Sequence, residues 1–206
     1  MSFRNEEKLR IVPSKIFHLR EWIKKNLGNN VFPSRIVNSV YFDNQNFSMY
    51  HDSMEGVLPR KKIRLRNYDK EFLFNKNINK EIKISSVEGK YKTSEKTKNS
   101  LEYMSTGIYD QNYGLCLPVL NVSYKRSYYL VKNIRLTLDE KITYKRIIGN
   151  KISNFSTLDN CSIVELKFNS KKLTDFVNQN FPFERARFSK YCRGIEFIRV
   201  NYCNEL

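Results

Sequence analysis

Pro59-Arg60-Lys61-Lys62-Ile63-Arg64-Leu65-Arg66-Asn67-Tyr68 is the stretch on which the reading of this chain turns. Side chains of a β-strand alternate between faces with a period of two. Arg60, Lys62, Arg64 and Arg66 then share one face, and Lys61, Ile63, Leu65 and Asn67 the other. A helix, at about 100° per residue, would scatter the cations over about 300° of arc. Ile63 and Leu65 suit the apolar side of a strand. The stretch therefore predicts a strand whose apolar face packs on the protein and whose cationic face meets something anionic. A solvated edge strand guarded by Lys and Arg has the same pattern, so the decision falls to the rest of the chain.

The device recurs. Glu6-x-Lys8, Glu81-x-Lys83 and Glu165-x-Lys167 each put a carboxylate and an ammonium on one face, as Tyr124-x-Arg126 and Arg135-x-Thr137-x-Asp139 do for their own polar groups. The opposite faces are apolar: Ile82 and Ile84; Val164, Leu166 and Phe168; Leu136 and Leu138. A half-buried sheet with one wet face explains any one of these strands, but less well their repetition with Arg in the middle. The expected fold is α+β, mainly β: an antiparallel β-barrel tunnel with a charged lumen and flanking helices near residues 14–27 and 170–180. Like charges about 5 Å apart repel by several kcal/mol at an effective dielectric near 20. Such a lumen calls for water, counter-ions or a polyanion. Phosphate matches the guanidinium fork, and carboxylates would hold a divalent metal that bridges to phosphate. Oxygen ligands without His point to Mg2+ or Mn2+ rather than zinc.

The totals agree. The 206 residues fit a single domain, 1–206. The net charge, 37 − 21 = +16, exceeds the magnitude of about 2–8 typical of a small domain and implies an anionic partner. The two histidines, His18 and His51, are too few for a His-based metal site, a Ser-His-Asp triad or a Cys-His dyad. Cys116, Cys161, Cys192 and Cys203 form no CxxC pair; with no signal peptide, free thiols in the cytoplasm are expected. No apolar run of about 18 residues exists to span a membrane. Thirteen tyrosines and the basic charge would suit a single-strand nucleic-acid groove. Cations alternating with paired carboxylates do not, so no nucleic-acid partner is expected.

In chain order, residues 2–12 read as a strand, with Glu6, Lys8 and Arg10 on one face. A helix opens at Pro13-Ser14 with Ser14 as N-cap; its stripe is Ile16, Leu19, Ile23 and Leu27 with Trp22, and Gly28 stops it. Residues 35–43 read as a strand, 47–54 as a short helix, and 72–85 as the hairpin partner of the basic strand, broken near Asn77-Asn79 and strongest over 80–84. Residues 94–104 read as a polar surface helix. Residues 120–132 and 134–143 form a hairpin through Asn133, 161–168 a strand, and Ser170 caps a helix carrying Leu173, Phe176 and Val177.

Eight segments, in order, resemble the polyphosphate-polymerase (VTC, vacuolar transporter chaperone) domain of the triphosphate tunnel metalloenzymes, a CYTH-like superfamily. They are Arg4-Asn5-Glu6-Glu7-Lys8, Ser39-Val40-Tyr41-Phe42-Asp43, the basic strand 60–68, Glu81-Ile82-Lys83, Tyr124-Lys125-Arg126, Arg135-Leu136-Thr137-Leu138-Asp139, Val164-Glu165-Leu166-Lys167 and Arg187-Phe188-Ser189-Lys190-Tyr191. The resemblance implies a tunnel that binds ATP, triphosphate or polyphosphate and grows polyphosphate from ATP with manganese. It implies phosphate-binding roles for Lys8, Arg64, Arg66, Lys83, Arg126, Arg135 and Lys190, with Lys92 a further cation whose basic doublet is broken by Thr93. Arg60, Lys62 and Tyr124 are added as substrate contacts. Glu165 is implied as metal ligand, with Glu81, Glu6 and Asp139 as second ligands or salt-bridge partners of lysines. Leu9 stands where the family usually has Tyr. A triphosphatase, or a binding module without turnover, would use the same cations.

Overall fold

The computed structural model describes residues 5–72 and 78–203. The first residues of the expected 2–12 strand, Asn77 at its expected break and the last three residues lie outside them. The architecture is mainly antiparallel β with helices. Its strands are β1 (Asn5–Ile11), β2 (Asn29–Asp43), β3 (Arg60–Asn67), β4 (Ile78–Ser86), β5 (Gly89–Thr97), β6 (Ile108–Asp110), β7 (Gly114–Val131), β8 (Ile134–Ile148), β9 (Lys151–Ile152), β10 (Thr157–Leu158) and β11 (Ser162–Phe168). Its α-helices are α1 (Ile16–Lys25), α2 (Ser48–Glu55), α3 (Ser100–Thr106), α4 (Lys171–Asn180) and α5 (Lys190–Cys203). No helix among the described residues is long and apolar enough to cross a membrane.

The chain divides into two compact units, and β2, β7 and β8 each have residues in both. The first unit comprises the residues up to Ile36, Tyr124–Ile142 and Leu158–Phe188. In it β11 pairs antiparallel with β1 and with β8, so that Lys8 faces Glu165 and Glu165 faces Thr137. The apolar faces, Leu9 and Ile11, Leu136 and Leu138, Val164, Leu166 and Phe168, pack with Leu19, Trp22 and Ile23 of α1 and Val177 of α4. Trp22 donates its indole N–H to the Asn180 carbonyl at 2.7 Å and sets its ring edge-on to Phe181. A Cβ on Gly28 would fall 2.6 Å from Ile23 Cγ2 and 2.7 Å from Val131 Cγ2. Only glycine lets the chain leave α1 so close to the strand. Lys132 and Asn133, both at positive φ, turn β7 into β8 in the two-residue manner that matches strand twist.

The second unit comprises Val37–Ser123, Thr143–Thr157 and the residues from Ser189 onward. Here β2, β3, β4 and β5 are successive antiparallel neighbours. Ile63 and Leu65 are buried, as are their partners Phe42 and Val40 on β2.

Three sequence expectations need correction. Ser14 caps nothing: a 3-10 turn over Pro13–Lys15 precedes α1, and neither start carries a side-chain cap. Leu27, expected on the apolar stripe, is 84% exposed, because the chain turns to positive φ there and leaves the helical period. The polar helix expected over 94–104 is a strand up to Thr97, since Ser94–Thr97 pair with Ile78–Glu81; only α3 is helical. Ser170 does cap α4, accepting the Leu173 N–H at 3.2 Å.

Candidate functional site

Each unit carries one charged strand face. In the second unit the register builds it in rows: Tyr41, Arg64, Glu81 and Ser94; Ser39, Arg66, Asn79 and Lys96; Lys62, Lys83 and Lys92; Arg60, Ser85 and Lys90. The period-two reading of the basic stretch thus holds residue by residue. Glu81, 3% exposed, organises this face. Its Oε2 takes Arg64 Nε at 2.7 Å and Nη2 at 2.6 Å and lies 3.4 Å from Arg66 Nη1. Its Oε1 takes Lys92 Nζ at 2.6 Å. Burial alone would raise this carboxyl; Arg64, Arg66 and Lys92 outweigh it and bring the pKa from an ordinary 4.5 to about 2.

Arg64 also donates Nη1–H to the Tyr41 hydroxyl at 2.9 Å. Tyr41 stacks on Tyr191 with ring centroids 5.1 Å apart. Burial opposes ionisation of the Tyr41 phenol, yet Arg64, Arg66 and Lys190 lower its pKa on balance. Tyr191 donates its hydroxyl to the Asp43 carboxylate, which also accepts the N–H groups of Asn44, Met49 and Tyr50 at 2.8–3.0 Å. Asp43 thereby anchors the start of α2. Burial raises its pKa against those hydrogen bonds, and raises the Tyr191 phenol together with Asp43. Lys62 donates to Ser189 Oγ at 3.0 Å, directly before Lys190 at the start of α5. Arg60 instead donates to the carbonyls of Gly56 and Val57 at 3.2 and 3.0 Å, behind α2. Lys61, on the opposite face, is held by both Asp110 oxygens at 2.9 and 3.1 Å and by Asn112 at 2.7 Å.

In the first unit the rows are Glu6, Lys167 and Arg135; Lys8, Glu165 and Thr137; Arg10, Ile163 and Asp139. The close ion pairs here are separate. Arg126 grips Asp139 with Nε at 2.6 Å and Nη2 at 2.7 Å, and lies 5.2 Å over the Tyr124 ring. Burial works against the Arg126 charge, but Tyr124 and Asp139 raise its pKa. Lys167 meets Glu165 at 2.6 Å; Lys8 lies 3.6 Å from Glu6 and donates to the Phe188 carbonyl at 3.5 Å. Burial would raise the Glu165 carboxyl; Lys167, Lys8 and Arg126 bring it to about 2. Arg135 is exposed.

Among the described residues no three His, Cys, Asp or Glu side chains gather as a metal cage. Glu81 and Asp139 have both oxygens committed to cations, which does not fit metal ligation. Glu165 meets Lys167 through Oε1. A magnesium-like ion held by one or two carboxylates plus phosphate oxygens fits Glu165 best, with Glu6 diagonally across from it.

Sequence reasoning missed the roles of Ser39, Tyr41, Asp43, Ser189 and Tyr191. For Ser39, Tyr41 and Asp43 the signal was available in their own period of two. Cys116, Cys161 and Cys192 are buried free thiols; burial first, then Asp43 and Asp110, push the Cys116 thiol up to about 12.

Three solved structures share the fold at low sequence identity. A putative adenylyl cyclase from Hippeastrum, described as having a dominant triphosphatase activity, matches with TM-score 0.55 and 16% identity over 94% of this chain and 96% of its own. A putative adenylate cyclase from Vibrio parahaemolyticus gives 0.51 and 14% over 91% and 95%. The PH1012 protein of Pyrococcus horikoshii OT3 gives 0.53 and 9% over 91% and 99%. A comparison with curated protein sequences finds no match. The VTC domain family model matches residues 3–113 and 92–199. That span takes in all eight ordered sequence segments, and the chain belongs to the VTC domain family.

Proposed function

We propose that the chain is a phosphotransferase of the polyphosphate-polymerase type, passing the γ-phosphoryl of ATP to a growing polyphosphate chain. The observation that carries this reading is the cluster in which one buried acid, Glu81, orients Arg64, Arg66 and Lys92. One carboxylate against three cations leaves positive charge to be met by an anion, and the arginines are already oriented. Preorganised cations of this kind stabilise a transferring phosphoryl group at little reorganisation cost. Phosphoryl transfer passes through a loose transition state, so positioning and neutralisation supply most of the catalysis.

Arg64 and Arg66 hold phosphoryl oxygens bidentately. Lys62, Lys83, Lys92 and Lys190 add point charges. On the first unit's own face Lys8, Arg126 and Arg135 would meet phosphoryl groups in the same manner. Glu165 would hold Mn2+ or Mg2+, which would supply neutralisation of phosphoryl charge. The acceptor, a phosphate or polyphosphate end, is already ionised and needs no general base, which suits a chain with only His18 and His51.

Incubation with ATP and Mn2+, followed by a gel for polyphosphate and an assay for free phosphate, tests the reading. Long polyphosphate supports it; free phosphate alone makes the chain a triphosphatase, and neither makes it a binding module. Arg64→Ala should lower turnover by about 100-fold or more, the cost of losing one electrostatic contact to the transition state, with the far-UV spectrum unchanged. Turnover near wild type in that variant would remove Arg64 from the site.

A further inference from the structure

We propose that Phe32, Arg35 and Tyr128 form a shelf on which the base of a nucleoside triphosphate stacks while its phosphoryl groups lie along the charged face of the first unit. This rests on the reading that the charged face binds phosphoryl groups, and adds a contact for the part of ATP that tripolyphosphate lacks.

Tyr124, Arg126 and Tyr128 follow one another with a period of two on β7, so they share a face. Tyr129 and Val131 lie on the other face and pack in the apolar core. Tyr128 therefore continues the row that Arg126 occupies, about 7 Å further along the strand. Two residues of β2 meet it there. Arg35 Nε donates to the Tyr128 hydroxyl at 2.7 Å, and its guanidinium lies 5.3 Å from the ring centroid. Phe32 meets the same ring edge-on, with centroids 5.8 Å apart and planes at 89°. Tyr128 is half-buried, Arg35 is exposed and Phe32 is 61% exposed. All three residues belong to the first unit.

A lone exposed phenylalanine needs no explanation. Here the ring is braced against a tyrosine whose hydroxyl also fixes a guanidinium, so an open aromatic ring and a planar cation stand side by side. Such a pair suits a flat π system. Nucleobases stack on aromatic side chains and on Arg guanidinium planes, and a cation is drawn to a π face. The spacing from Arg126 is one that a ribose bridges between its 5′-phosphate and its base. A purine, with two fused rings, offers the larger face to the shelf. An apolar ligand would use the ring and waste the row of cations beside it, whereas a nucleotide uses both.

Titration calorimetry on the full chain in EDTA compares ATP with sodium tripolyphosphate. Phe32→Ala should bind ATP about tenfold more weakly, the size of one base–aromatic stack, and bind tripolyphosphate like wild type. Phe32→Tyr should keep wild-type affinity for ATP. Arg35→Lys keeps the charge but loses the plane; it should weaken ATP by about threefold, with tripolyphosphate again unchanged. Each variant should melt like wild type, since Phe32 and Arg35 are exposed. Wild-type ATP affinity in Phe32→Ala would overturn the proposal and leave the phosphoryl-binding reading standing. An equal loss for ATP and tripolyphosphate would overturn it too, because the ring would then only shape the phosphoryl-binding face. Absence of binding of either ligand by the wild-type protein would end the phosphoryl-binding reading itself, and this inference with it.

Discussion

The two units arrange the same ingredients differently. On the first unit's charged face the close ion pairs are separate, Asp139 with Arg126, Glu165 with Lys167 and Glu6 with Lys8, while Lys8 and Arg126 act on Glu165 from farther off. On the second unit's face one acid, Glu81, serves Arg64, Arg66 and Lys92. Separate close pairs offset charge locally, whereas three cations in direct contact with one carboxylate keep their orientation and a net positive charge. The second face thus keeps positive charge on donors already held in place. The contrast also separates stability from binding, because an acid with a dedicated buried cation matters most to folding.

The largest stability effect is therefore expected at Asp139. Arg126 is mostly buried, and one edge of its guanidinium is gripped by both oxygens of a carboxylate that is 1% exposed. Asp139→Asn leaves that cation without its counter-charge, at a cost of about 3 kcal/mol. Urea unfolding should show a lower midpoint at unchanged slope. Glu81→Gln should cost less, about 2 kcal/mol, because Arg64 and Lys92 reach solvent and can rehydrate. If Glu81→Gln proves the more damaging, the two faces do not divide the work as argued.

Acid titration sharpens the same comparison. Glu81 is held at about 2 against an ordinary 4.5, a difference on the order of 3 kcal/mol between protonation states before solvent screening of its exposed partners. A carboxylate with a depressed native pKa contributes stability that is complete above the unfolded value. It is lost as pH falls toward the native value. Glu165 has the same displacement. Stability should thus fall between about pH 4.5 and 2 with a slope reflecting uptake of about two protons from these groups. Glu81→Gln should shed about one of those protons. An unchanged slope in that variant would mean that Glu81 is not held low by its cations.

Much of this was legible in the sequence, and the reason is the period of two. It placed Arg60, Lys62, Arg64 and Arg66 on one face without further information, and set Glu165 beside Lys167. What it did not convey was where a side chain on the right face would be drawn. Arg60 shares its row with Ser85 and Lys90, yet its guanidinium turns back to the carbonyls ending α2. Lys61 was placed on the apolar side, and its burial depends on Asp110 and Asn112, about fifty residues away in sequence. The second half of β5 was hidden because Ser94–Thr97 has no apolar alternation; pairing with β4 overrides local preference.

The smallest effect is expected at Tyr41, where it separates orientation from charge. Its hydroxyl accepts from Arg64 Nη1, while its ring stacks on Tyr191. Tyr41→Phe removes the acceptor and keeps the stack, so folding should change little. Arg64 would keep Glu81 but lose the contact that fixes its second edge. A hydrogen bond of this kind contributes about 1 kcal/mol, which corresponds to roughly fivefold in affinity. Tripolyphosphate affinity should fall by that factor, with the net charge of the face unchanged. An affinity equal to wild type would show that Glu81 alone orients Arg64. A larger loss, of the size expected for Arg64→Ala, would mean that the Tyr41 phenol itself meets the phosphoryl chain.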